Sequence, residues 1–345
     1  MADHQSDHQN DHQNDHQSDH QRDYQTDHQS VHRSDPQSAR ARSGAGVVLR
    51  PEVLTLELRG PDRVRFLNGM VTNDVAALVP GQGVSAVKVS AKGRVEAVVR
   101  IRALEEALAI EVREVVAEKL AVALASHLIM DDCTLADATP TREVVTILGP
   151  RSAEILRGIG VQIPDELPAH AFVRSGARVV IRDVTLGLAG FEVHVPPGTG
   201  ALFRDQLIAA GAAPLDAAAV EVIRIEEGIP IDGRDLGEDV LPMEAGLLHA
   251  ISFTKGCYVG QEVIARATNL GGVRWALVRL QLSGELAPGT KLLDAGDRRT
   301  EVGEITSAAL SETVGSWIAL GFVRTSHAAS GTHLTTAAGT AVTLR

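Results

Sequence analysis

KGCYVGQEVIARATNLGG, residues 255–272, holds Cys257, one of only two cysteines in a chain of 345 residues. A thiol reacts as its thiolate, and a nearby cation or a helix N-terminus favours that form. Lys255 stands two residues before the cysteine. GQEVIARA reads as a helix beginning at about Gly260, which puts Cys257 just ahead of a helix start. Gly256 and Gly260 allow the backbone to come close to a ligand. A small cysteine packed in a glycine-bounded turn would look the same, so spacing alone leaves both readings open. Cys133, in MDDCTLAD, has no cation or glycine beside it and reads as structural.

The rest of the chain narrows the setting. With 44% hydrophobic residues it can bury a large core, and its length suits two or three domains. The formal net charge is -11. In the first 40 residues eight aspartates stand against three arginines, which leaves about -6 for the remainder. An acidic body argues against general nucleic-acid binding, which draws on counterion release by basic surfaces. Two cysteines make no disulfide framework and no four-ligand zinc spacing. No apolar run approaches the ~18 residues of a membrane span. The N-terminus lacks an apolar signal core. The expectation is a cytoplasmic monomer with free thiols, without a membrane or direct nucleic-acid partner.

Residues 1–43 form a separate object. A four-residue Asp-His-Gln repeat runs from Asp3 to Ser30 and then decays. It has almost nothing apolar to offset the entropy of ordering, so it reads as a disordered tail. On a helix, His4, His8, His12, His16 and His20 would share one face at a spacing that can chelate metal, which is the alternative. The folded body starts near Val47. EVLTLELRG reads as a strand and PDRVRFLNG as a short helix. GVSAVKVSAKGRVEAVVRIRAL reads as two strands around a turn at Lys92-Gly93. A helix follows over Glu114–His127. Further strands and helices alternate up to DAAAVEVIRIEEG, with no GxGxxG or GxxxxGK[ST] loop for a nucleotide. From Trp275 only short strands and turn signals remain, as in a small barrel or sandwich. The domain expectation is an α+β region over 44–270, made of two intertwined subdomains, and a β domain over 271–345.

Other residues could carry chemistry. Glu221, Arg224 and Glu227 fall at three-residue intervals on one helix side. Arginine suits a carboxylate-bearing ligand through its planar fork, although a surface ion-pair ladder is the commoner arrangement. Asn73, after RFLNGMVT, can read a polar heterocycle or cap the next turn. His249, eight residues before Cys257, permits a hydrolase-type Cys–His pair on paper, but no oxyanion-hole loop accompanies it.

KGCYVGQE resembles the K-G-C-[FY]-x-G-Q-E signature of the YgfZ-type folate-binding proteins, a branch of the superfamily that contains the aminomethyltransferase of glycine cleavage, the T-protein. RFLNGMVTNDV, SAKGRV, GFEVHVP and RIEEGIPIDGRDLGEDVLPMEAGL stand in that family's order, so the resemblance spans Arg50 to about Arg345. It implies a T-protein-like α+β arrangement of domains around a central folate pocket, closed by a C-terminal β-barrel. It implies tetrahydrofolate or a derivative as cofactor. Its implied partners are iron–sulfur assembly proteins and client cluster enzymes, including radical enzymes that thiolate transfer RNA. Cys257 and Lys255 become the reactive pair. Gly256, Tyr258, Gly260, Gln261 and Glu262 match the rest of the signature. Arg224 matches an arginine near the folate, Glu192 the second acid of a T-protein pattern, and Asn73 joins the same pocket.

The departures matter as much. Where the T-protein carries aspartates required for aminomethyl transfer, this chain has KGRVEAVV, with Ala97, Val98 and only Glu96 nearby. Leu188 replaces a further acid. An acid or base must lie within hydrogen-bond reach of the proton it moves. The expectation is a folate-binding accessory protein of iron–sulfur cluster assembly or repair. A folate-dependent aminomethyl transferase using Glu96 and a non-catalytic folate-gated binding module are the alternatives.

Overall fold

The structure is a computed structural model that describes residues 36–183, 186–269 and 272–345. The Asp-His-Gln repeat and its histidine face lie outside these residues. The folded chain begins earlier than its composition suggests. Pro36–Ser43 is a helix, α1, whose Ala41 is buried in a cluster with Leu148, Leu215 and Ile223. The last eight residues assigned to the tail therefore belong to the body. Ser38 and Ala41 are buried, Gln37 Oε1 accepts from the Asp216 N–H at 2.9 Å, and Arg42 pairs with Glu226 and Glu227.

Two sheets and a barrel follow. β1 (Gly46–Leu49) pairs with β7 (Glu143–Leu148) and β11 (Ala213–Pro214). β10 (Gly190–Val195), β9 (Arg178–Asp183) and β8 (Phe172–Ser175) complete a six-stranded sheet. Between β1 and β7 the chain builds a second sheet of five strands. These are β2 (Val53–Arg59), β3 (Gly83–Val89), β4 (Val95–Ala103), β5 (Ala107–Arg113) and β6 (Thr134–Asp137), in the order β3-β4-β5-β2-β6. The two subdomains are interleaved in sequence for this reason.

Each sheet buries one apolar face under helices. In the five-stranded sheet, Leu56, Leu58, Val99, Ile101, Leu108 and Ile110 pack with Phe66 and Leu67 of α2 (Arg63–Met70) and Leu120 and Leu124 of α3 (Glu114–Ala125). In the six-stranded sheet, Val47, Val145, Ile147, Phe191 and Val193 pack with Ile155 and Leu156 of α4 (Ser152–Gly158) and Phe203 and Leu207 of α5 (Gly200–Ala209). Side chains alternate across a strand, so each opposite face carries the intervening residues. Those are Ser85, Arg100, Arg102 and Glu111 on one sheet and Asp183, Glu192 and His194 on the other. Ion pairs between them make the seam where the sheets meet.

α6 (Ala217–Glu227) is the hinge of this arrangement. Asp216 caps its first turn by accepting from the Ala219 N–H at 2.9 Å, and Gly228, at φ 76°, ends it. One side, through Ala219 and Ile223, packs on Leu148 and Leu215. The other side, through Val222 and Ile225, packs on Ala309, Ile318 and Leu320 of the C-terminal domain. That domain is a closed barrel of β12 (Trp275–Leu282), β13 (Lys291–Asp294), β14 (Glu301–Ser311), β15 (Ser316–Arg324), β16 (His333–Thr335) and β17 (Ala341–Leu344), in the order β12-β15-β14-β13-β16-β17. Closure removes its exposed sheet edges. The α+β class and the barrel are as expected. Among the described residues no helix is long and apolar enough to cross a membrane.

Candidate functional site

Cys257 is exposed, on a loop four residues ahead of α7 (Gln261–Asn269). Lys255 is not arranged to activate it. The ammonium is only 9% exposed and donates to the carbonyls of Asn68 at 2.5 Å, Val71 at 2.9 Å and Asn73 at 2.7 Å. An ammonium has three donors, and these acceptors use all of them. Burial pulls its pKa down to about 8, against the pull of Asp74. The expectation that Lys255 stabilises the thiolate is therefore corrected, because two residues of sequence do not translate into a free donor. Lys255 is a clamp. Around it Thr72 donates to Ala250 O at 2.6 Å, and the N–H groups of Ser252 and Val259 donate to Thr72 O and Gly69 O at 3.0 and 3.1 Å.

The rest of the octapeptide serves the same docking. Tyr258 is buried with its ring 5.3 Å from Lys255 Nζ. Gly260 has φ +83°, and a Cβ there would lie 2.5 Å from the Ser90 carbonyl oxygen, so only glycine fits against the β3–β4 turn. Glu262 is exposed and ion-paired with Arg266, while Gln261 lines a cavity of about 270 Å³ with Phe253 and Tyr258. Gly256 has open space where a Cβ would stand. The contact of Glu262, with Arg266, lies within α7 itself.

Arg224 is also corrected. It is 2% exposed and its guanidinium is fully used. Nε donates to Glu221 at 2.7 Å, Nη1 to Asp235 at 2.8 Å and Ile229 O at 3.1 Å, and Nη2 to Ser307 at 2.6 Å and again to Glu221. Thr306 and Ser307 of β14 bond Asp235 in turn. This is neither a surface ladder nor a ligand arm. It is a strut that ties α6 to the barrel.

Glu192 lies at the centre of the seam, fully buried. Arg100 Nη1 is 2.7 Å from its Oε2, and His194 Nε2 is 2.8 Å from its Oε1 and 2.9 Å from Glu111. Arg102 pairs with Glu111, and Arg142 reaches His194 Nδ1 at 3.4 Å. Burial would raise the Glu192 carboxyl, but Arg100 and the His194 hydrogen bond outweigh it and hold the group well below the usual range. Burial pushes His194 down to about 4 and Arg102 to about 9. Glu111, Glu192 and His194 could between them offer a cation three ligand atoms within 4.8 Å of one another. Arg100, Arg102 and Arg142 already neutralise these acids, so the donor set is that of an ion-pair network, and a divalent ion would sit among guanidinium groups.

Asn73 stands beside β3, with Nδ2 donating to Ser85 O at 2.8 Å. Its Oδ1 accepts from the Asp74 N–H at 2.9 Å, as the turn-forming reading expects. On β4, Ala97 is buried and Glu96 is bound at 2.8 Å by the buried Lys88. Asp232 is an acid that lies against β4. Both its oxygens accept from Val98 N–H, at 3.2 and 3.3 Å, and burial raises it to about 7. Sequence reasoning missed Ser85, Arg100, His170 and Asp232. The alternation in VVRIRA and FEVHV was the available signal for a charged inner face.

Two interleaved sheets, a charged seam and a closing barrel define the T-protein class of fold. The sequence matches the GCVT N-terminal domain family over residues 14–255 and the glycine cleavage T-protein C-terminal barrel domain over 276–344, and the chain belongs to this family. It is 30% identical to an aminomethyltransferase of Rubrobacter xylanophilus over 290 residues, 82% of this chain and 77% of that one. It is 27% identical to a putative chloroplastic transferase of Arabidopsis thaliana over 289 residues, 81% of this chain but only 65% of the longer relative. Among solved structures, the glycine cleavage system aminomethyltransferase T of Bartonella henselae superposes with a TM-score of 0.80 over 90% of this chain and 87% of that one, at 20% identity.

Proposed function

We propose that this protein binds tetrahydrofolate or a derivative at the seam and supports iron–sulfur cluster assembly or repair through Cys257. The observation that carries the reading is the exposed thiol, held on a loop that the buried Lys255 clamps to the same turn that presents Asn73. Asn73, Ser85 and His170 would hold the polar ring. The folate would supply a redox-active or one-carbon-bearing heterocycle. Cluster iron or sulfur is cargo, and one thiol suits transient transfer, since stable clusters usually take four ligands. Iron–sulfur assembly proteins and client cluster enzymes are the partners of this reading, in the cytoplasm. The test is complementation of cluster-dependent enzyme activity in cells that rely on this protein. Cys257→Ser is expected to lose it while keeping tetrahydrofolate binding, and full complementation by the serine variant would sink the proposal.

A second reading, aminomethyl transfer, draws on the names of the relatives and on Asp232. That carboxyl lies beside β4 and titrates near neutrality, as a general acid or base would. Ammonia release from an aminomethyl-carrier protein in the presence of tetrahydrofolate, lost in Asp232→Asn, would favour it. Glu96 is the weaker candidate because Lys88 holds it.

A further inference from the structure

His170 is the one non-glycine residue with a left-handed backbone among the described residues, at φ 64°. That conformation costs free energy and persists only where the surroundings fix it. Here both sheets fix it. The His170 N–H donates to Arg182 O at 2.9 Å, and Phe172 N–H to Gly81 O at 2.9 Å. The loop lies so close to β3 that a Cβ at Gly83 would come within 2.6 Å of the His170 carbonyl oxygen. The strained backbone brings the ring to the seam, where Nε2 is 3.3 Å from Ser85 Oγ. The Ser85 carbonyl is bonded by Asn73, whose amide also reaches His249 O at 3.4 Å. Two chain segments thus converge on Ser85, itself the cross-strand partner of Arg100.

We propose that Ser85 and His170 are a hydrogen-bonding pair that reads a small polar heterocycle at the seam, with the neutral imidazole accepting a hydrogen bond from a ring N–H, directly or through the serine hydroxyl. The assignment rests on the tetrahydrofolate reading and deepens it. The ring is faced by Asp183 of β9, Arg100 and Arg102 of β4, and His249 of the turn Leu247–Ala250. Burial, with both arginines and His249, outweighs Asp183 and keeps the ring below its ordinary pKa, hence neutral near pH 7. The pair uses no group of the Arg224 strut or the Lys255 clamp.

Calorimetry with tetrahydrofolate at pH 7.5 and 5.5 tests this on the wild type, His170→Asn and Ser85→Ala. Asparagine is chosen because it tolerates the left-handed region. The wild type is expected to bind more weakly at pH 5.5 than at pH 7.5, since a protonated ring cannot accept a hydrogen bond. His170→Asn should bind about tenfold more weakly at pH 7.5, the worth of one hydrogen bond, and lose the pH dependence. Asp232 titrates in the same range but is common to both proteins, so it cancels in the comparison. The His170 imidazole resonance should shift on adding tetrahydrofolate, a readout independent of the variants' folding. Binding by the wild type with an unmoved resonance, or a His170→Asn variant with the full affinity and pH slope, overturns the pair alone. Silence of the wild type at millimolar ligand overturns the folate reading, and the pair's role falls with it.

Discussion

Arg224 and Lys255 are both buried cations that bind one part of the chain to another, yet they are satisfied in opposite ways. Arg224 meets two carboxylates, a serine hydroxyl and a carbonyl. Lys255 meets three carbonyls and an aromatic ring, with no carboxylate among its hydrogen-bond partners. The first is a charge matched by charge. The second is a charge held by dipoles, so burial is only partly offset and the ammonium is the easier of the two to deprotonate. Buried lysines change charge state readily, whereas arginines do not. The strut at the barrel is therefore built to be permanent, and the clamp beneath the octapeptide to respond to its surroundings.

The largest effect expected is at Arg224. Arg224→Met leaves the buried Asp235 without its cation at the barrel junction, and removal of one partner from a buried pair costs about 3–5 kcal/mol. A denaturant titration reads this directly, and a loss under 1 kcal/mol would return Arg224 to the status of a ligand arm. Lys255→Met should cost less, about 1–3 kcal/mol, because the carbonyls left behind lose a single partner each and two belong to half-buried residues that water can reach. Equal costs at the two sites would erase the distinction.

A pH series sharpens the comparison further. Folded Lys255 releases its proton near pH 8, whereas the unfolded side chain keeps it to about pH 10.5. Between those values the unfolded state binds more protons, so stability rises with pH across the window. The wild type should gain on Lys255→Met between pH 8 and 9.5. The buried Tyr258, whose pKa is raised, titrates above that range and is common to both proteins. A flat difference would mean that the ammonium is as well matched as the guanidinium. The smallest effect is at the surface. Cys257→Ser should change stability by less than about 0.5 kcal/mol. Cys257 should also be alkylated several-fold faster than Cys133, whose thiol is pushed up by burial and by Asp131, Asp62 and Asp132. Equal rates would show that exposure does not set reactivity here.

Much of the fold was legible because it follows local rules. The barrel announced itself in short strands and turns, and α6 in its Asp216 cap and Gly228 stop. β6 and β8 were not legible, since four-residue edge strands carry too little pattern. The site was less legible than the fold. Arg224 and Lys255 were found as residues but misread as to role, because the partners of Lys255 lie more than 180 positions away in sequence and those of Arg224 include Ser307, 83 positions on. The seam escaped because Arg100, Arg102, Glu192 and His194 alternate as solvent-facing residues would, while the face they mark is turned inward. Nothing in a strand's own pattern says which of its two faces another sheet will cover.

The detour of the chain between β1 and β7 carries a consequence for the order of assembly. The five-stranded sheet is contiguous, from Val53 to Asp137, and all its pairings can form once that segment has left the ribosome. β1 precedes it but waits for Ile147 and Pro214 as partners of Val47. Long-range pairings of this kind are slow because loop closure precedes any reward, and domains generally form as units during synthesis, N-terminal first. In this chain the earliest strand is paired only after the five-stranded sheet that follows it. Until residue 214 is made, β1 is an unsatisfied edge, and the clamp and strut wait longer still, for residues 255 and 307.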